Sequence, residues 1–462
     1  MQGSHRWKSW AAATACALIL GVAPLQHLSA EVAAGAGSRP SLPGQPGDAA
    51  LSGEAIVQGE RLTLSRCIEI ALRHNPVIVA SENAVEAGRS RVGEARSGWY
   101  PQLRAQAGYN RVDPTQSRAT GAVPGAFDQY TGSVSLTQNI LDFGRTSSQV
   151  GISKYNLESA RSDLTATRDT IVLNVKQAYY GVLLAGRNRD VAADVLKQFE
   201  LHLDQAKGFY EVGVRAKIDV LRAEVDLSNA KLGLIRAGNA LKIAWVTLNN
   251  AMGVPDAPPY LIEDNLLFQP YAITLEDATA RALVNRPELK SLAARRQAAE
   301  ANIGLAQSGH YPVLSGNAGY TWVGEQKISP LESGWSAGVA LTVPLFSGFL
   351  TSHQVAEARS NLYVLRADEE SFRQQVLLEV RQAYLNLEEA RGSISTAELA
   401  VLQAKENLDL ANGRYAAGVG SPVEVSDAFA TYVTAQANYT GALADYNIAQ
   451  ASIEKAMGGS GK

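Results

Sequence analysis

The sequence predicts a mostly α-helical chain with a small β part, built from one unit used twice. Three observations predict it: landmarks that recur in order, apolar residues spaced by alternate steps of three and four over long stretches, and paired short segments that alternate apolar and polar residues. Composition sets the outer bounds. With 462 residues, 46% of them hydrophobic and 19% charged, the chain can bury a core and is not disordered as a whole. A net charge of −3 excludes the basic profile of a nucleic-acid binder, so no nucleic-acid partner is expected. Cys16 and Cys67 are the two cysteines, and neither has a neighbour at the spacing of a zinc site or redox pair.

Residues 1–30 read as an export signal. Arg6 and Lys8 precede a short apolar run from Ala11 to Val22, and Leu28-Ser29-Ala30 supplies the small residues of a cleavage site. That run is too short to cross a bilayer core, which needs roughly 20 apolar residues. Cleavage is expected after Ala30, and Cys16 lies inside the apolar run rather than after it, which argues against lipid attachment. Residues 31–60, rich in Ala, Gly, Pro and Ser, read as a flexible lead. No later stretch is apolar enough for a membrane helix, so the mature chain is either soluble outside the cytoplasm or crosses a membrane as strands.

The repeat is read from spacing. Leu64, Asn75-Pro76 and Trp99-Tyr100-Pro101 recur at one constant offset as Leu275, Arg286-Pro287 and His310-Tyr311-Pro312. Later landmarks keep a slightly smaller offset: Gln177-Ala178-Tyr179 with Gln382-Ala383-Tyr384, Tyr210 and Gly213 with Tyr415 and Gly418, Met252-Gly253 with Met457-Gly458. The copies occupy residues 61–253 and 275–458, joined by a proline-marked linker over 254–274 and followed by a tail at 459–462. Each copy holds a helical pair, two strands, a very long helix, a glycine turn and a second long helix. In the second copy Val380, Ala383, Leu387, Ala390, Ile394, Ala397, Val401, Ala404, Leu408, Ala411 and Tyr415 form a heptad seam. The first copy keeps it from Val175 to Tyr210, with Arg189 breaking the register. From Gly144 to about Lys207 such a helix spans roughly 95 Å.

The expected strands lie at about 102–112, 129–141, 313–323 and 334–345. Leu103, Ala105, Ala107 and Tyr109 interleave with Arg104, Gln106, Gly108 and Asn110, and the other three segments follow suit. Each has about the length of a tilted membrane strand, and Trp99, Tyr100, Tyr311, Trp322 and Trp335 suit the interfaces. A half-buried soluble hairpin has the same pattern, and the residues alone leave both readings open. In lipid, however, four strands with open edges cannot stand alone, so several chains would have to share one barrel.

Taken together, the two-copy layout, Trp99-Tyr100-Pro101 and Tyr311-Pro312 before strands, Leu141-Asp142-Phe143-Gly144 and Leu345-Phe346-Ser347-Gly348 after them, and the tips Tyr210-x-x-Gly213 and Tyr415-x-x-Gly418 resemble the TolC family of outer membrane factors. The resemblance covers residues 61–458 and implies a homotrimer: a 12-stranded barrel in the outer membrane lipid joined to a periplasmic α-helical barrel, with residues 254–274 at its equator. It implies the passive duct of a tripartite efflux pump or type I secretion system, working with a periplasmic adaptor and, through it, an inner-membrane transporter. The turns Gly213-Val214-Arg215 and Gly418-Val419-Gly420 match the adaptor-docking tips, although both glycines also read as helix C-caps. Glu424 and Asp427 match the acidic channel constriction, with Asp219 at the position of Glu424 in the first copy. Glu424 also belongs to the capping box Ser421-Pro422-Val423-Glu424, which leaves Asp427 the stronger gate residue. The family often has a basic residue where Gly420 stands, so no ion-pair lock is carried over to that position.

A soluble periplasmic coiled-coil adaptor is the alternative reading, but adaptors carry a compact domain between their helices and here there are only hairpins. No enzyme and no cofactor are expected: the six histidines include two in the signal, and His74, His202, His310 and His353 fall on separate elements with no carboxylate pair at ligand spacing.

Overall fold

A computed structural model describes residues 56–112, 126–325 and 332–459. The signal at 1–30, with Cys16, most of the lead and the last residues of the tail lie outside the described residues. The lead expected through residue 60 is ordered at its end: Ile56 is buried, and the Gly59 amide donates to the Pro259 carbonyl at 2.9 Å. This contact brings the linker against the start of the first copy. Strand β1 (Arg61–Leu62) pairs in parallel with β4 (Leu261–Ile262).

Each copy then begins with a helical pair, α1 (Leu64–His74) and α2 (Pro76–Arg96) in the first, α5 (Leu275–Asn285) and α6 (Pro287–Gln307) in the second. Their starts are set by repeated chemistry. The Thr63 hydroxyl caps α1 by accepting from the Arg66 amide, and Thr274 caps α5 by accepting from Asp277; Pro76 and Pro287 open α2 and α6, where a missing amide costs nothing. Cys67 is fully buried on α1, and burial pushes its thiol up to about 12, an inert packing group.

The strands β2 (Gln102–Val112), β3 (Phe127–Leu141), β5 (Val313–Glu325) and β6 (Glu332–Thr342) form one antiparallel sheet in the order β2-β3-β5-β6. Register aligns the apolar positions across all four: Leu103 stands opposite Leu136, Leu136 opposite Ala318, and Ala318 opposite Ala337. The other face is polar, with Gln106 opposite Ser133 and Ser133 opposite Thr321. One bulge interrupts the ladder: Asn139 faces Ser315 and Leu141 faces Leu314, leaving Ile140 as the extra residue over Gly316. Strand β6 ends at Thr342, short of the expected 345, where Pro344 has no amide to offer a ladder. Just past β3 and β6, Phe143 and Phe349 hold φ of 49° and 65°, unusual for a bulky residue, and both rings are exposed. With Trp99, Tyr100 and Tyr311 they make an aromatic rim at the helix-proximal end of the sheet.

The long helices follow. Helix α3 (Arg145–Glu211) and α7 (Leu350–Ala416) each run 67 residues, about 100 Å at 1.5 Å per residue. Asp142 starts α3 by accepting from the Thr146 amide at 2.8 Å and the Gly144 amide at 3.2 Å. They return through α4 (Lys217–Met252) and α8 (Pro422–Ala456); α3 packs along α4, α7 along α8, and α3 against α8. In α7 the seam residues Val380, Ala383, Leu387, Ala390, Ile394, Ala404, Leu408, Ala411 and Tyr415 are buried. Tyr210 departs from the first-copy seam and is 46% exposed. Leu203 and Ala206 keep the seam beyond Arg189, and only at the last turn does the neighbour Phe209 turn inward instead, edge-on to Tyr415 with ring centres 5.7 Å apart.

Where α3, α6, α7 and α8 meet near the linker, charge is buried. Arg286, 1% exposed, pairs with Glu379 and lies 3.5 Å from Glu288; Lys455 is 3.7 Å from Glu288, and Lys176 binds Glu454 at 2.6 Å. Asp169 on α3, 4% exposed, is pushed up to about 6, chiefly by burial and further by Glu288, against the opposing pull of Lys455 and Arg286. The folded value lies above the unfolded value of about 3.9, so the fold gains full benefit from the neutral acid below about pH 4 and loses it as pH rises through about 6. Asp169→Asn, neutral throughout, is expected to melt a few degrees higher than the wild-type chain at about pH 8, with the gap narrowing towards about pH 5. Calorimetry of the detergent-solubilised protein across that range checks it, and a gap that does not change with pH refutes it.

Candidate functional site

The rods end in two turns that the sequence builds alike. At the first, Gly213 takes φ +75°, the Gly213 amide donates to the Tyr210 carbonyl at 3.0 Å, and the Val214 amide reaches the Phe209 carbonyl at 3.0 Å. At the second, Gly418 takes φ +76°, with matching bonds from Gly418 to Tyr415 and from Val419 to Arg414. Both are left-handed glycine C-caps of the Schellman type, so the glycines are required by backbone geometry. Each turn then presents an exposed apolar residue, Val214 and Val419.

Arg215 and Gly420 are brought together. They are 205 residues apart, which makes them equivalent positions of the repeat, and the Arg215 Nη2 donates to the Gly420 carbonyl oxygen at 2.8 Å. The same guanidinium lies 5.5 Å from the centre of the Tyr415 ring. Gly420 leaves no room for a side chain of its own: a Cβ there would stand 2.8 Å from the Tyr415 amide nitrogen. Arg215 of the first tip thus places a basic group beside Gly420 of the second, a cross-tip contact that its turn position did not announce.

The acidic residues divide. Ser421 caps α8 by accepting from the Glu424 amide at 3.2 Å, and the Glu424 carboxylate lies 3.4 Å from Arg414, an exposed pair of small energetic weight. Asp427 follows on the next turn and is exposed. Asp219 instead lines a groove between α4 and α8 with His202, Asp226 and Ser426; Asp226 accepts from the Ser426 hydroxyl at 3.2 Å. His202 was legible only as a histidine with no ligand partner. Here burial lowers its pKa while Asp226 and Asp219 act to raise it, and its ring lies 5.4 Å from that of Tyr415. A long amphipathic helix places such a residue at a seam, but only packing shows which neighbours it meets. Among the described residues no group of three or more His, Cys, Asp or Glu is arranged to hold a metal ion, and no helix is long and apolar enough to cross a membrane.

A sheet with one continuous apolar face and one polar face, joined to paired rods that end in capped tips, defines the subunit of a membrane duct. The chain belongs to the outer membrane efflux protein family, whose model matches residues 67–254 and 279–459. It is similar to outer membrane protein TolC of Escherichia coli K12, 27% identical over 414 residues that cover 83% of this chain and 80% of that protein. It is also similar to the alkaline protease secretion protein AprF of Pseudomonas aeruginosa, 24% identical over 401 residues, 83% of this chain and 82% of that one. Among solved structures its fold matches that of the outer membrane protein VceC from Vibrio cholerae, with a TM-score of 0.73 at 19% identity over 86% of this chain and 97% of the other. The protein is an outer membrane channel component and not an enzyme; the adaptor alternative finds no support.

Removing the cross-tip contact tests its weight. Arg215→Ala deletes a hydrogen bond and a stacked cation, together about 1–2 kcal/mol, and is expected to broaden and lengthen the distance distribution between spin labels at Val214 and Val419. An unchanged distribution shows that the helices hold the tips without it.

Proposed function

We propose that three copies of this chain form one passive duct, a 12-stranded barrel in the outer membrane continued by a helical tunnel through the periplasm. The observation that carries this reading is the sheet: its two faces are sorted across four strands, and among the described residues β2 and β6 each keep one edge without a partner. Lipid does not tolerate unpaired strand edges, so β6 of one copy must meet β2 of the next until the ring closes. The helices support the same closure. Ile218, Leu221, Val225, Leu232 and Ile235 on α4, and Leu378, Leu385, Leu399 and Leu402 on α7, are exposed at helical spacing, apolar faces that a neighbouring copy covers.

In this reading solute is driven by an inner-membrane transporter and handed over through a periplasmic adaptor that docks on the turns at Gly213-Val214-Arg215 and Gly418-Val419-Gly420. The exposed Val214 and Val419 side chains are the contacts. The resemblance to TolC and to a protease secretion protein keeps both drug-type efflux and polypeptide secretion within reach of the same tube. Residues 1–30 act as a signal removed on export.

At the narrow end, rings of Asp427 and Glu424 in threefold bias passage towards cations, as acidic rings do in channels. Asp219, the first-copy counterpart of Glu424, joins them at the constriction from the groove it lines with His202 and Asp226. Light scattering of the protein in mild detergent is expected to give the mass of three chains; a stable monomer overturns the duct. In planar bilayers the pair Asp427→Ala and Glu424→Ala is expected to raise conductance or reduce cation selectivity, and unchanged currents remove both from the constriction.

A further inference from the structure

Helix α4 carries a second heptad stripe besides the one that packs on α3. Ile218, Leu221, Val225, Leu232, Ile235 and Val246 fall on alternate steps of three and four, with Ser228, Asn239 and Lys242 at the intervening positions, and all are exposed. The seam towards α3 instead buries Ala223, Ala230 and Leu248. Helix α7 has a matching stripe opposite its own buried seam: Leu378, Leu385, Leu399 and Leu402 are exposed on it, and Gly392 takes the place of a leucine midway. A glycine inside a long helix is unfavourable against alanine, and a Cβ at Gly392 would meet nothing within 4 Å in this chain. No packing among the described residues calls for it.

We propose that the α4 stripe of one copy and the α7 stripe of the next form an antiparallel heptad seam in a single register, set by a layer that pairs Asn239 with Gly392 and by an ion pair between Lys242 and Glu388. This rests on the threefold duct. Within a chain the rods stand in the order α4-α3-α8-α7, so α4 and α7 are the outer flanks just as β2 and β6 are, and rotation about the duct axis brings α7 of one copy to α4 of the next. Rotation also keeps heights unchanged. Arg215 touches Gly420 at the tips and Lys176 binds Glu454 far up the rods, so residues counted equally far from Gly213 and Gly418 stand at one height. At equal counts Leu232 meets Leu399, Val246 meets Leu385, and Asn239 meets Gly392. The amide thus enters a layer where the partner has no side chain, and a slip of one heptad either way would set it against Leu385 or Leu399. Lys242 lies one residue from the height of Glu388, and Arg222 is level with Asp409. Among the described residues Lys242, Arg222 and Asp409 have no ion-pair partner in their own chain, and Glu388 has only Arg391 at 3.9 Å. Ser395 faces Ile235 and Glu406 faces Val225, so the seam is mixed, and its polar layers choose the register while its leucines supply the burial.

The test uses the full mature chain in mild detergent, with Cys67 left in place because it is fully buried. Leu232→Cys with Leu399→Cys, treated with a short bis-maleimide, is expected to give a ladder on denaturing gels that ends at three chains. Leu232→Cys with Leu385→Cys, two heptads out of step, is expected to stay unlinked. Charge reversal supplies an independent readout: Lys242→Glu and Glu388→Lys are each expected to lower the temperature at which the assembly dissociates by a few degrees, and the two together to restore it. Assemblies of three-chain mass that fail to link Leu232→Cys to Leu399→Cys, that link both cysteine pairs equally, or in which the double reversal is no better than the singles overturn the register and leave the duct standing. A stable monomer overturns both. The cross-linking comparison needs no charge variant, so it decides the register even if a reversal fails to assemble.

Discussion

An unpaired strand edge in hydrocarbon is the constraint from which the rest of this molecule follows. Water is absent there, so every amide and carbonyl must find a partner within the protein. Among the described residues one sheet of four strands is sorted into an apolar side through Leu103, Leu136, Ala318 and Ala337 and a polar side through Gln106, Ser133 and Thr321. In the proposed duct the two outer edges, on β2 and β6, are closed by copies of the same chain. The exposed apolar faces of α4 and α7 obey the same logic outside the membrane, where the driving force is burial of side chains rather than of backbone polar groups.

Duplication decides what meets at the far end. Because both copies send out equal rods, equivalent residues arrive side by side: Arg215 reaches the carbonyl of its own counterpart, Gly420. The copies have then diverged in complementary ways. One keeps an arginine and exposes its tyrosine, Tyr210; the other gives up its side chain at Gly420 and buries Tyr415 under that arginine. The same division recurs at the other end, where Asn75 caps α2 with its own side chain while Arg286 is engaged with Glu379 and Glu288.

Much of this was legible in the sequence because it is periodic. The α7 seam from Val380 to Tyr415 and the two-residue alternation of the strands are statements about which side of an element is apolar, and burial follows directly. The glycine turns were legible because only glycine sits comfortably at a left-handed cap. What escaped has no period. The bulge at Ile140, the inward turn of Phe209 in place of Tyr210, the setting of His202 between Tyr415 and two aspartates, and the buried charges around Asp169 all depend on segments far apart in the chain. Arg215 is the intermediate case: the repeat offset already named Gly420 as its equivalent, but only the folded rods show that equivalents touch.

The equal length of the two rods, 67 residues in each copy, carries a consequence for how such a chain can change. One added heptad in a single hairpin would stagger its turn by about 10 Å relative to the other, beyond the reach of any arginine. Growth or shortening of this protein therefore has to occur in matched steps on both halves, so that its length is inherited as a pair of numbers rather than one.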